Sequence, residues 1–430
     1  MAKRLFCGAL SGWGGASGPS CNGKPPFLRV VAAVCCVVVL TFVTSCFPRA
    51  KTPEKYDLKG VRLVVWDALQ SKYPGSADYS EEVSRVISSF CLETGVTVDL
   101  RYVERREVMD FLSGAEPPGA AQGPHLVFSG EWPVVSDKLA DLSDVLDPAV
   151  FIDPAAAYWT VDGRFLGIPA FIQWTGVAVK MPESAWDDQG AEGAEGEEDL
   201  EGPDSPLPSP EPGRTGYWTG SPAFLRCALD GPGAAWDADS VVRYAEWVKD
   251  SYGALVPDPL LYWQLGEVDA LYPVNPYLYK WLQTSQDDGP PIALVPPGTP
   301  FGDSRFHYTV PAYLVVCERQ PEKAAAAMLG QRLAASLGRW AARTLGCIPA
   351  LVDDMPIFNL ESGFSYSERR RLWESVRDGA AVAPKIFEYM RTVSLANALS
   401  EPLEMYLSGK STIQSLEDLI RSAFSRHTRP

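Results

Sequence analysis

Histidine is scarce in this chain, and its cysteines are not arranged to be useful as pairs. The three histidines, His125, His307 and His427, are far apart in 430 residues. They form no cluster with metal-ligand spacing, so no metal and no other cofactor is expected. Of nine cysteines, Cys7, Cys21, Cys35 and Cys36 lie in or before an apolar leader. Cys91, Cys227, Cys317 and Cys347 lie in the body without CxxC spacing. That is no disulfide framework. Buried free thiols behaving as small hydrophobes account for it, and a disulfide stays open in an oxidising compartment. Catalytic signatures are also missing: there is no GxSxG, no Walker A loop and no HExxH. Carboxylates are abundant, but nothing singles out the placed pair that a glycosidase needs. Basic charge is short, with 38 Lys and Arg against 54 Asp and Glu and a net charge of −16. A nucleic-acid partner is therefore not expected, because phosphate binding needs a basic face. No internal repeat is present.

The chain does have apolar mass. Hydrophobic residues make up 46%, enough for a large core, which excludes general disorder. The length suggests two or three domains, at roughly 100–200 residues each. The run Val30 to Val43 is shorter than the roughly 20 residues a membrane-spanning helix needs. Lys24 and Arg29 precede it, and Thr44, Ser45 and Cys46 follow, which is signal-peptide architecture. Val43-Thr44-Ser45-Cys46 resembles a bacterial lipobox. That resemblance implies a signal peptide over 1–45, cleavage before Cys46, lipidation of its thiol and a tether over 46–57. The long Gly-rich stretch upstream departs from the pattern. An uncleaved anchor would give the same topology.

Val61 to Trp66 is a β-branched run suited to a buried strand. Glu82 to Leu92 carries Val83, Val86, Ile87 and Phe90 at helical spacing, and Gly95 ends that helix. Val96 to Val103 reads as a second strand, Val108 to Leu112 as a short helix and Pro124 to Phe128 as a third strand. Strand, helix, strand, helix, strand signals a parallel α/β sheet. Leu139 to Leu146 reads as a capped turn or helix. Tyr158 to Lys180 reads as strand, turn and strand around Asp162-Gly163. Residues 187–216 turn acidic and rich in Gly, Pro and Ser, and are expected to be a disordered surface loop. Asp239 to Tyr252 is expected to be a helix capped by Asp239 or Ser240. Ile292 to Val295 and Thr309 to Cys317 read as strands. Pro321 to Leu345 reads as a long Ala-rich helix ending at Gly346, and Ser367 to Phe424 as mostly helical.

Several short motifs stand in a telling order. Phe90 to Val98 (FCLETGVTV) is followed by Pro124 to Ser129, with His125 where an aspartate is usual. Leu139-Ala140-Asp141-Leu142-Ser143 and Asp162 to Pro169 (DGRFLGIP) come next. Pro311 to Val316, Gly346 to Ala350 (GCIPA) and Tyr406 to Lys410 complete the series. The chain thereby resembles the carbohydrate-binding type of extracellular solute-binding proteins of bacterial ABC importers. The similarity covers most of Val61 to Phe424. It implies a two-lobed periplasmic-binding-protein-like α/β fold, each lobe a mainly parallel sheet flanked by helices. Lobe one would be 58–173 plus 307–350, and lobe two 174–305 plus 351–424. A ligand cleft would lie between them, closing by hinge motion. The implied ligand is a sugar or oligosaccharide, and the implied partners are ABC permease subunits and a membrane reached through the lipid anchor. The implied location is the cell envelope, facing the periplasm or exterior.

In such sheets ligands bind beyond the carboxyl ends of strands. Trp66 and Asp67 follow the first strand, Ser129, Glu131 and Trp132 follow the third, and Gln173 and Trp174 sit at the crossing. Indole faces suit the apolar C–H faces of sugar rings, and the polar side chains suit hydroxyls. Trp66, Trp132 and Trp174 are expected to face one cleft. From lobe two, Tyr272 and Asn275 are candidates, with Tyr262, Trp263 and Trp281 weaker ones. For each tryptophan the alternative is ordinary core packing. Two other functional readings stay open: a sensor or adhesin on the same fold without transport, and a glycan-cleaving enzyme.

Overall fold

The first strand, β1 (Arg62–Asp67), is buried from Leu63 to Asp67, as a strand covered on both faces must be. The helix Ser76–Thr94 follows, with Tyr79, Val83, Ile87 and Phe90 buried along one face. It begins a turn earlier than the sequence pattern suggests, because Tyr79 extends the buried stripe upstream. Gly95, at φ +72°, ends it in a left-handed conformation that costs glycine least. β2 (Thr97–Tyr102) pairs parallel with β1, and β3 (Leu126–Phe128) pairs parallel on its other side.

This computed structural model describes residues 56–68, 76–112, 123–128, 137–181, 214–219, 222–229, 236–253, 255–285, 291–301, 305–379 and 386–427. The leader with Cys46, residues 187–213 of the acidic segment, and Ser129, Glu131 and Trp132 lie outside them. The expected disordered loop is corrected at its end: Thr215 and Gly216 are buried in a strand, Thr215–Tyr217. Among the described residues no helix is long and apolar enough to cross a membrane. Cys91, Cys227, Cys317 and Cys347 are free thiols.

A tight hairpin joins β4 (Thr160–Val161) to β5 (Arg164–Phe165). Asp162 at φ 51° and Gly163 at φ 78° supply the two positive dihedrals that such a two-residue turn requires. β6 (Ile168–Pro169) leads into β7 (Phe171–Lys180), the longest described strand at 10 residues. Further along come β8 (Thr215–Tyr217), β9 (Ala270–Val274), β10 (Ile292–Val295), β11 (His307–Thr309), β12 (Ala312–Val315) and β13 (Ile348–Pro349). The run Thr309 to Cys317, read as one strand, is two, broken at Val310-Pro311 because proline cannot continue a ladder.

The strands form two main sheets. One has the order β2-β1-β3-β12-β6, and the other runs β10-β7-β9-β8. In the first, β12 runs against β3 and β6. In the second, β7 runs against β10 and β9, and only β8 and β9 are parallel. β7 and β12 are the strands that carry the chain from one sheet to the other, so each enters its new sheet reversed.

β7 belongs to both halves. Ile172 pairs with Ile348 on β13, Trp174 with Tyr308 on β11, and Ala178 with both Leu294 and Leu271. The Ala-rich helix expected from the sequence runs Glu322–Leu345 and ends at Gly346, and it lies on the first sheet. Gly330 and Gly338 permit the approach. A Cβ at Gly330 would fall 2.6 Å from Ile168 Cδ1, and one at Gly338 2.5 Å from the Ala170 carbonyl oxygen. The helices Pro222–Leu229, Ala238–Tyr252, Ile386–Leu407 and Ile413–His427 surround a second core with Tyr217, Phe224, Tyr244, Leu399 and Leu403. The cap of Ala238–Tyr252 is Asp237, accepting from the Ser240 amide at 2.8 Å, not Asp239 or Ser240.

Candidate ligand-binding site

At the carboxyl end of β1 the sequence places a tryptophan and an aspartate side by side. Asp67 is 1% exposed. Its carboxylate accepts the Tyr79 hydroxyl at 2.9 Å, and the Tyr79 and Tyr313 oxygens lie 2.8 Å apart. With the Tyr79 proton directed at Asp67, Tyr313 donates to Tyr79. Burial, reinforced by the charge of Asp67, holds both phenols well above the usual tyrosine range, so both remain donors. Tyr313 also packs against Phe128, with the rings tilted and their centroids 4.8 Å apart. The network ties β1, the helix Ser76–Thr94, β3 and β12 together at the sheet edge where ligands bind in open α/β folds. Asp67 thus reaches this edge as a buried acceptor supporting it from behind.

Trp66 is 3% exposed and packs on Phe111 with ring centroids 5.4 Å apart. Its indole Nε1 is buried without a hydrogen-bond partner among the described residues. Trp174 is fully buried. It meets Tyr279, Phe364 and Phe306 edge-on, and its Nε1 donates to the Gly346 carbonyl at 3.1 Å. The expectation that Trp66 and Trp174 present open faces to a cleft is corrected: both rings are enclosed by apolar neighbours, and the Trp174 donor is already satisfied. Gln173 keeps 9% exposure beside Trp174, on the stretch of β7 paired with Thr309.

The lobe-two candidates also turn inward. Tyr272 is fully buried, with its hydroxyl 2.8 Å from Cys227 Sγ. Asn275 caps the helix Pro276–Thr284 by accepting from the Leu278 amide at 2.8 Å. Tyr272 is corrected as a ligand contact, because burial encloses it; Asn275 is half-buried, with its amide oxygen engaged in the cap. Trp263 is 1% exposed, under the Lys180 ammonium at 4.4 Å. Tyr262 and Trp281 are partly buried against the first core.

The crossing segment before β12 is fastened from both sides. Trp159 Nε1 donates to the Val310 carbonyl at 2.9 Å, and Arg226 Nη1 to the Tyr308 carbonyl at 2.6 Å. Cys227 Sγ lies 3.0 Å from His307 Nε2. Burial, and secondarily the Arg226 charge, push His307 down to about 3, so its ring stays neutral at physiological pH. Cys227 is 1% exposed, which gives this thiol–imidazole pair no substrate access. Among the described residues no three His, Cys, Asp or Glu side chains form a group that could hold a metal ion.

Sequence reasoning missed Tyr79, Tyr313, Arg226 and the Cys227–His307 pair. Tyr79 did carry a signal, four residues before Val83 on the same apolar stripe. Its bond to Tyr313 spans 234 positions, and no local pattern announces it.

No protein-family model and no curated protein sequence matches the chain. Solved structures do align with it. The GacH receptor of Streptomyces glaucescens, solved unliganded and with acarbose, has a TM-score of 0.55 at 14% identity, covering 85% of this chain and 98% of that one. The maltose/maltodextrin-binding domain MalE from Bdellovibrio bacteriovorus, bound to maltotriose, has a TM-score of 0.54 at 14% identity, covering 86% and 100%. An ABC substrate-binding protein from Listeria monocytogenes, in complex with cycloalternan, has a TM-score of 0.54 at 12% identity, covering 85% and 98%. The fold is therefore the two-lobed periplasmic-binding-protein-like α/β fold.

Proposed function

We propose that this protein is the lipid-anchored substrate-binding component of an ABC importer, which captures a sugar or oligosaccharide between its lobes and delivers it to a permease. The observation that carries the reading is the fold itself, shared over most of the chain with proteins whose structures hold maltotriose, acarbose or cycloalternan. The pairing of β7 with β13, β11 and β9 in turn supports a division at the crossing, with lobes 58–173 plus 307–350 and 174–305 plus 351–424. Ser129, Glu131 and Trp132, with Gln173 at the crossing, are proposed to touch the sugar, while Trp66 and Asp67 shape the edge behind them. The protein acts by binding and not by catalysis. Cys46 is the proposed lipidation site, which puts the body at the outer side of a bacterial membrane.

The test is a thermal-shift screen of Cys46→Ser protein against linear and cyclic glucose oligosaccharides, other sugars, and non-sugar solutes. A ligand at 100 times its Kd adds roughly 2.7 kcal/mol to stability, so a true ligand raises the melting temperature visibly. The reading fails if no sugar does so and a non-sugar solute does. Incorporation of labelled palmitate, lost in Cys46→Ser, tests the anchor separately.

A further inference from the structure

At the opposite end of the first sheet, the amino ends of β1 and β3, lies a pocket of about 400 Å³. It is lined by Asp57, Lys59, Arg62, His125, Arg319 and Glu322, among others. Its charges are unusual for so acidic a chain, with three cations against two carboxylates. The carboxylates are largely occupied. Glu322 is ion-paired with Arg319, and Asp57 Oδ1 accepts the Lys59 backbone amide at 3.1 Å. The Lys59 ammonium and Arg62 guanidinium have no acid partner among the described residues. His125 Nδ1 accepts the Val64 amide at 3.0 Å, so the neutral ring carries its proton on Nε2. Glu322 contributes one more feature: its Oε2 is buried and has no hydrogen-bond partner among the described residues, although the Arg319 hydrogen bond keeps its carboxyl below the usual range. A buried ionised oxygen of this kind calls for a donor.

We propose that this pocket binds a phosphate group carried on a polyol, with Lys59, Arg62 and His125 Nε2 taking the phosphate and Glu322 Oε2 accepting an adjacent hydroxyl. Unpaired lysine and arginine side chains are the usual means of holding phosphate oxygens. The hydroxyl supplies the one thing the pocket lacks, a neutral donor for Glu322. Membrane glycerophosphate is the source we assign, in the form of a phosphatidylglycerol headgroup. Asp57 lies eleven residues after Cys46, at most about 40 Å of extended chain. An anchored protein therefore keeps the pocket within reach of headgroups. The lipid source rests on the anchor proposed above, whereas the phosphate chemistry does not.

The experiment uses the full-length chain and compares the pair Lys59→Glu/Arg62→Glu with a control pair, Lys410→Glu/Arg426→Glu, of the same charge change. Co-sedimentation is measured with vesicles of phosphatidylcholine alone, and of phosphatidylcholine mixed with phosphatidylglycerol or with phosphatidic acid. Free glycerol phosphate is titrated in parallel by calorimetry. The expected result is about a tenfold loss of phosphatidylglycerol binding for the pocket pair and under twofold for the control pair. Phosphatidylglycerol should bind better than phosphatidic acid, which lacks the headgroup hydroxyls. The milder pair Lys59→Ala/Arg62→Ala should fall between. Saturable binding of free glycerol phosphate, lost in the pocket pair, without any vesicle preference would keep the site and move its source to a soluble phosphate. Equal losses in both pairs, or no binding of either probe, would overturn the proposal. Sugar-induced thermal shifts measured on the pocket pair should match those of the unaltered chain, so failure of this site and failure of sugar binding read out separately.

Discussion

Both sheets bury tyrosine hydroxyls near the crossing, but they satisfy them with different chemistry. In the first sheet the acceptor at the end of the chain of hydroxyls is a carboxylate, Asp67, reached through Tyr79 and Tyr313. In the second, Tyr272 meets a thiol, Cys227, which also faces the neutral ring of His307. A hydrogen bond to a charged acceptor is roughly twice as strong as one between neutral groups, and a thiol is a weak partner at best. The first network therefore holds its edge in one geometry. The second packs as a soft polar island whose members tolerate loss.

The largest effect belongs to the crossing that both networks flank. Trp174→Ala removes a fully buried indole from among Tyr279, Phe306 and Phe364, a change that costs about 3–5 kcal/mol. Denaturant unfolding should show that loss. If stability is unchanged and only sugar affinity falls, Trp174 is a ligand contact and not a core pillar.

Next comes acid. His307 is held down to about 3 by burial and Arg226, while an unfolded histidine titrates near 6.5. The unfolded chain therefore binds more protons between these values, and stability present above pH 6.5 is lost as pH falls toward 3. By pH 5 the loss is on the order of 1–2 kcal/mol from this residue, since one unit corresponds to about 1.4 kcal/mol. Unfolding curves for the unaltered chain and His307→Gln should converge as pH drops from 7 to 5. A constant gap between them would show that His307 is not held neutral.

Tyr79→Phe breaks the first network. It removes one donor to Asp67 and takes the Tyr79 hydroxyl from Tyr313, at about 1.5–3 kcal/mol for a hydrogen bond to a charged group. The same change should weaken sugar binding modestly by loosening the edge. Denaturant midpoints that match the unaltered chain would show that Asp67 finds other donors as good.

The sequence made much of this visible and hid a definable remainder. β1, β2, β3, the helix Glu322–Leu345 and the Asp162-Gly163 hairpin were legible because hydrophobic period and turn chemistry are local. Trp66 and Trp174 were misplaced for the opposite reason. A tryptophan at a strand end reads the same whether it faces a cleft or a core, and what decides is a partner far along the chain, such as Phe364 or the Gly346 carbonyl for Trp174. Asn275 followed by proline was readable as a helix cap, since Asn before Pro at the first helical position is a start signal.

Cys227→Ala should have the smallest effect, and it sharpens the contrast most. The substitution deletes one buried sulfur from a site already crowded with apolar atoms, leaving a small void. It also takes a partner from the Tyr272 hydroxyl and from His307 Nε2. Both groups thus lose a described side-chain contact, and both contacts are to a sulfur. A neutral hydrogen bond contributes about 0.5–1.5 kcal/mol, and a sulfur bond falls at the low end. The expected loss is under about 1 kcal/mol, with sugar affinity within twofold of the unaltered chain. Should Cys227→Ala destabilise the chain as much as Tyr79→Phe, the two networks are equally rigid. The assignment of a firm edge to the first sheet and a forgiving one to the second would then be wrong.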